Sequence, residues 1–336
     1  MSSSISSSER VAAPPAVAEP AGAAPARRRT RGRLMLGAVV AVLGALELTT
    51  RLWLLPASRD LSRFAAYPAQ ARAFLERPGI KVALVGNSAT QEGVDPQLLA
   101  RALTGAVGQP IEVGMFVADS AKMSTDYWII ERELYRQRRR PDLIVVTYFE
   151  RGLEDGEPVD VGRLARSFTD LGDWRALFAY DLPDLESRAD WLVSSFSAAF
   201  AARNRIEERV LDGLPGWKEA RQRLNRDNLA HESRRAAPDR YLGLERLVER
   251  ARALGVPLCF VAFPSRSDYA IGDAARAIIA AGGMRLIDLR RVPSLEREHY
   301  RDWVHLNERG RSVYTAVLGR ALTSLVASAR SRGENR

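Results

Sequence analysis

The chain has 336 residues, is 46% hydrophobic and carries a formal net charge of +9. That apolar fraction excludes a wholly disordered polymer, and the length admits one large or two small domains. The charge is an arginine bias, since lysine occurs only at Lys81, Lys122 and Lys218. The arginines beyond residue 60 are scattered without a nucleic-acid-binding motif, so no nucleic-acid partner is expected.

Residues 1–33 begin with serine, alanine and proline and end in Arg27, Arg28, Arg29, Arg31 and Arg33. Such a stretch buries too little apolar surface to order itself, and it reads as a disordered basic tail. Residues 34–55 follow as an apolar run interrupted by Glu47 and Arg51, with Trp53 near its end. A membrane span needs about 20 mostly apolar residues, and Glu47 and Arg51 stand four apart, able to pair on one helix face. The run reads as a single-pass transmembrane anchor. The arginines place the N-terminus in the cytoplasm and everything after Pro56 in the periplasm or outside the cell. A cleaved signal peptide ending near Ala57 and Ser58 is the alternative.

Beyond the anchor, strands and helices alternate across 61–330. A helix over 61–75 precedes strand Ile80 to Val85, and Asp95-Pro96 opens a helix toward Gly105. Ile111 to Val117 is a second strand, Met123 to Tyr135 a helix, and Leu143 to Phe149 a third strand. Residues 151–240 break the rhythm with helical spacing and no strand signal, as in an inserted lid or partner surface. A helix over 241–254, strand Pro257 to Phe263, a helix over 271–281, strand Arg285 to Leu289 and a closing helix over 313–325 complete the pattern. The fold class is therefore α/β: a three-layer sandwich around a mostly parallel five-stranded sheet.

Ligands in such sheets sit at the carboxyl ends of the strands. Ser88 falls just past the first strand in Gly86-Asn87-Ser88, while Asp302 and His305 follow the fifth strand by a loop. A serine hydroxyl needs a base to take its proton, and His305 is the candidate. Asp302, three residues earlier, is placed to hold the far ring nitrogen. His231 and His299 sit among charged residues and read as solvent-facing. Cys259, the single cysteine, lies within the apolar run Pro257 to Val261, and so reads as a buried structural thiol. The chain shows no metal-ligand cluster and no cofactor motif. No Gly-x-Ser-x-Gly surrounds Ser88, as an α/β-hydrolase nucleophile would require.

Gly86-Asn87-Ser88 and the string from Asp302 through His305-Leu306-Asn307 to Gly310 resemble the SGNH (GDSL-type) hydrolase superfamily. The resemblance spans roughly residues 78–328 outside the insertion. It implies a flavodoxin-like sheet and a Ser88, His305, Asp302 triad. Asn87 stands where the superfamily usually has aspartate. The usual oxyanion-hole glycine after strand two and asparagine after strand three are absent; Val117-Ala118-Asp119-Ser120 and Tyr148 to Gly152 stand there instead. The backbone amides of Ser88 and Ala89, with groups from Asp119 or Ser120, are the remaining oxyanion candidates. The anchor and the insertion make the chain similar to membrane-anchored members such as alginate O-acetylation and teichoic-acid D-alanylation proteins. That resemblance implies a multi-pass membrane O-acyltransferase as partner and an exported or envelope polysaccharide, or an acyl ester, as substrate. The expected activity is extracytoplasmic serine acyl transfer, as esterase or O-acyltransferase. A non-catalytic accessory protein and a simple anchored lipase or carbohydrate esterase are the alternatives.

Overall fold

Aliphatic and β-branched runs that cannot face water form five strands: β1 (Ile80–Gly86), β2 (Ile111–Val117), β3 (Leu143–Tyr148), β4 (Leu258–Ala262) and β5 (Arg285–Asp288). The computed structural model describes residues 24–156, 160–211, 213–217, 220 and 240–333. Residues 1–23 of the expected basic tail, and His231, lie outside the described residues. The chain divides into two units, Met1–Leu48 and Thr49–Arg336.

The first unit is built on helix α1 (Ala24–Thr49). The tail was expected to be disordered to residue 33, yet the helix already includes 24–33. Arginine is a good helix former, and a helix once nucleated by the apolar run propagates into it at little cost. The helical stretch Gly32–Ala57 is long and apolar enough to cross a membrane.

In the second unit the strands pair in parallel in the order β2-β1-β3-β4-β5. This is the doubly wound order in which the chain reverses direction between β1 and β3, opening a crevice at their carboxyl ends. Successive side chains on a strand point to opposite faces, and both faces are buried here. Ala83, Val85, Ile144, Val146 and Phe260 face one core. It is covered by α2 (Arg59–Glu76), α5 (Met123–Ile129) with its π-helical continuation to Tyr135, α10 (Leu242–Leu254) and α11 (Asp273–Ala281). Val82, Leu84, Val145, Cys259 and Val261 face the other, under α4 (Pro96–Val107) and α12 (Glu308–Gly333). Cys259 is fully buried, and burial pushes its thiol up to about 12, as an inert structural cysteine requires.

The insertion contains no strand among its described residues. After a short helical segment at 161–168 come α6 (Trp174–Tyr180), α7 (Leu185–Phe196), α8 (Ala198–Ala201) and α9 (Arg203–Leu211). It joins the first core by burying Phe168 and Trp191, the former edge-on to Phe64 of α2 at 5.1 Å. The Trp191 indole N–H donates to Thr169 Oγ1 at 2.9 Å, so the buried ring leaves no polar atom unpaired.

His299 was expected to face solvent but is buried. Its Nδ1 accepts the backbone N–H of Glu296 at 3.0 Å in a tight turn, and Gly310 packs against its backbone. A side chain at Gly310 would collide with the His299 carbonyl oxygen.

The first core also holds carboxyls that water does not reach. Burial pushes Asp126 up to about 8 against a weaker pull from Arg163, Glu133 up to about 7, and Asp181 up to about 6. The folded chain therefore holds protons that the unfolded chain releases across roughly pH 4 to 8, so stability falls as pH rises through that window. Denaturant titrations should show a higher midpoint at the acid end of the window, and Asp126→Asn should raise stability at the alkaline end and flatten the slope.

Candidate active site

β1 ends in a backbone that only glycine tolerates. Gly86 has φ +155, and a Cβ there would strike Thr90 and Thr147, whose hydroxyls bond to each other beneath it. The chain then turns directly into the short helix α3 (Ser88–Gly93). Asn87 caps it, its Oδ1 accepting the Ala89 N–H at 3.1 Å. Ser88 is thus held on the first turn of a helix at the crevice between β1 and β3.

The partner loop arrives from the far end of the chain. Tyr300 and Leu306 form an isolated antiparallel bridge, and Arg301 N–H donates to the His305 carbonyl at 2.8 Å. Asn307 closes the loop by capping α12: its Oδ1 accepts the Gly310 N–H at 3.0 Å, and its Nδ2 donates to the Glu298 carbonyl at 2.6 Å. The Arg301 guanidinium reaches Glu92 on α3 at 2.6 Å, tying the loop to the helix that carries Ser88.

His305 Nε2 lies 2.9 Å from Ser88 Oγ, and His305 Nδ1 lies 2.8 Å from Asp302 Oδ2. The other oxygen of Asp302 accepts the backbone N–H groups of Val304 and His305 at 3.0 and 2.9 Å. Partial burial pushes the Asp302 carboxyl up, but those two amides and the ring outweigh it and hold the group below its ordinary value. An ionised carboxylate only accepts, so Nδ1 carries the proton, and in the neutral ring the lone pair of Nε2 faces Oγ. Ser88 Oγ, the His305 ring and the Asp302 carboxylate stand in one line, the order a nucleophile, a base and an orienting acid would take.

The four oxyanion candidates differ in the partners they already hold. The Ala89 N–H is committed to Asn87, whereas the Ser88 N–H, at the helix start, has no protein partner among the described residues. Asp119 turns toward α2: its carboxylate lies 3.5 Å from Arg63, and its carbonyl accepts from Arg163 at 2.7 Å. Burial first, and the Asp60 carboxylate second, push Asp119 up. No hydrogen bond links Asp119 or Ser120 to the triad among the described residues. Ser120 and Glu150, in the turns after β2 and β3, both hold positive φ, 54° and 49°.

The sequence reading missed Arg63 and Gln91. Arg63 of α2 donates to the side-chain Oε1 of Gln91, one turn beyond Ser88 on α3. The spacing from Ser88 to Gln91 was a usable signal for a shared helix face; nothing in the chain order announced Arg63. Trp303, which lies between Asp302 and His305 in the chain and is part exposed, stands edge-on to Phe149 at 5.4 Å.

Asn87→Ala should cost about 1 kcal/mol through the lost helix cap, read by denaturant unfolding, while Asn87→Asp should retain most of it. Gly86→Ala should cost more, about 3 kcal/mol, because strained φ and a core collision coincide.

No family model matches the chain, and no curated protein matches it. Among solved structures it is similar to a lipase/acylhydrolase from Enterococcus faecalis at 14% identity, covering 73% of this chain and 96% of that one, with a TM-score of 0.37. It is also similar to an acetylxylan esterase from Geobacillus stearothermophilus at 14% identity, covering 74% and 94%, TM-score 0.38. A third is an alpha/beta hydrolase enzyme from the metagenome of Lake Arreo, Spain, at 13% identity, covering 75% and 99%, TM-score 0.36.

Proposed function

We infer that the protein is a serine acyl-transfer enzyme of the SGNH type, acting on an acyl ester. The observation that carries this reading is the unbroken line from Ser88 Oγ through His305 to Asp302, with gaps of 2.9 and 2.8 Å. Ser88 Oγ forms a bond to the acyl carbonyl carbon while its proton passes to His305 Nε2. The resulting oxyanion faces the helix start, where the Ser88 N–H is its backbone donor. Collapse breaks the bond to the leaving alkoxide, which takes the proton from Nε2 and departs as an alcohol. Water or an acceptor hydroxyl then gives its proton to Nε2 and attacks the acyl carbon; collapse breaks the acyl–Oγ bond, and Nε2 returns the proton to Ser88 Oγ.

Location and acceptor extend this reading. The Gly32–Ala57 stretch, with Leu34, Met35 and Val42 exposed, suits a single-pass anchor. The basic residues before it favour a cytoplasmic N-terminus and an extracytoplasmic catalytic unit. An envelope or exported polysaccharide as acceptor, and a multi-pass membrane O-acyltransferase as partner, are the finer proposals; the half-exposed Trp303 is suited to stacking on a sugar ring.

A second reading, a non-catalytic accessory protein, draws on one observation: the Ala89 amide is already bonded to Asn87. Each oxyanion donor lost costs about 10²–10³ in rate. A fluorophosphonate probe decides between the two. The full chain in detergent should be labelled, Ser88→Ala should not be, and equal labelling of both would overturn the enzymatic reading. Asp302→Asn should lower turnover of a small acyl ester about 10⁴-fold, because the ring then adopts the wrong tautomer.

A further inference from the structure

α3 has only six residues, Ser88 to Gly93, and the Asn87 cap holds its first turn alone. Positions i and i+4 share a helix face, so Ser88 and Glu92 look the same way. The 300–306 loop meets both. His305 Nε2 lies 2.9 Å from Ser88 Oγ, and the Arg301 guanidinium lies 2.6 Å from Glu92 Oε2. Among the described residues these are the two polar side-chain contacts between α3 and that loop. Arg301 bears on both ends of the gap. Its side chain grips α3, while its backbone N–H donates to the carbonyl of His305 itself at 2.8 Å. Glu92 Oε2 is closed to water and finds no other hydrogen-bond partner among the described residues, so the guanidinium is what offsets its burial.

Gln91, the preceding residue of α3, points about 100° around the helix from Glu92. Arg63 of α2 holds it from that second direction. Two grips on different sides of so short a helix oppose its rolling about its own axis. Such a roll is the motion that would swing Ser88 Oγ away from the imidazole. The Arg301 side chain is 60% exposed and that of Glu92 32%, and a pair so placed adds little to global stability. Its consequence is local, at the one distance it spans. We propose that Arg301 and Glu92 are a positioning pair for the reaction, holding Ser88 and His305 at proton-transfer distance by acting through the helix and the loop. The proposal rests on the serine acyl-transfer reading above.

The test is a double-mutant cycle on the full chain in neutral detergent, read by hydrolysis of p-nitrophenyl acetate and by the rate of fluorophosphonate labelling at Ser88. Glu92→Gln and Arg301→Gln should each lower kcat about tenfold with KM unchanged, the order expected when one charge-assisted contact is lost. Labelling should slow by a similar factor, because the probe reports activation of the hydroxyl. The double variant should be no slower than either single one, since both remove the same contact. Arg301→Lys, which keeps a cation, should retain most of kcat. Arg309→Gln breaks a different exposed pair, with Glu298 at 3.2 Å, and should leave kcat at its starting value. Unchanged kcat in the single variants, a loss carried by KM, multiplying losses in the double variant, or an equal loss in Arg309→Gln would overturn the proposal. A wild-type chain that is not labelled at Ser88 would bring down the acyl-transfer reading itself, and the positioning role with it.

Discussion

His305 Nε2 approaches Ser88 Oγ to 2.9 Å, between residues 217 positions apart. A hydroxyl and an imidazole so distant in sequence meet only if the intervening chain is folded back rigidly. The parallel sheet performs that task. Each strand returns its carboxyl end to the same edge, so the turn after β1 and the loop after β5 open on one side. Two rigid devices then set the distance. Gly86 and the Asn87 cap orient α3, and the Asn307 cap together with the Tyr300–Leu306 bridge orients the loop.

The same devices divide stability from chemistry. The Ala89 amide stabilises the start of α3 by bonding to Asn87, and that bond withdraws it from an oxyanion. Asp302 does the reverse: its two backbone bonds and the ring bond keep it ionised, which fixes the tautomer of His305 as well as the loop. Asn87 makes its cap with a neutral amide. An uncharged cap leaves Asp302 as the sole carboxylate hydrogen-bonded within the triad.

The insertion changes one face of the sheet rather than the site itself. It adds Phe168 and Trp191 to the core under α2 and surrounds Arg163 with apolar walls. Asp126, Glu133 and Asp181 are buried, and burial pushes all three carboxyls up against the opposing pull of nearby arginines. A chain of contacts runs from that face to α3 through Asp119, whose carbonyl accepts from Arg163 and whose carboxylate faces Arg63, which in turn donates to Gln91 Oε1.

Much was legible in the chain alone, because periodicity is a local property. The alternation of apolar runs with amphipathic stretches determined the parallel sheet, and the order of Ser88, Asp302 and His305 determined which residues had to meet. The spacing of Asp302 and His305 is itself local, about one turn, and so could be read directly. What the tertiary structure alone decided were the pairings across distant segments. His299 is buried with Gly310 close against it, Asp119 faces Arg63 of α2, and Arg63 reaches Gln91 of α3 from a helix that precedes every strand. Charge and polarity assign such residues to the surface by default. Only the packing of one segment against another decides whether a neighbour supplies the missing partner, and no linear pattern encodes that neighbour.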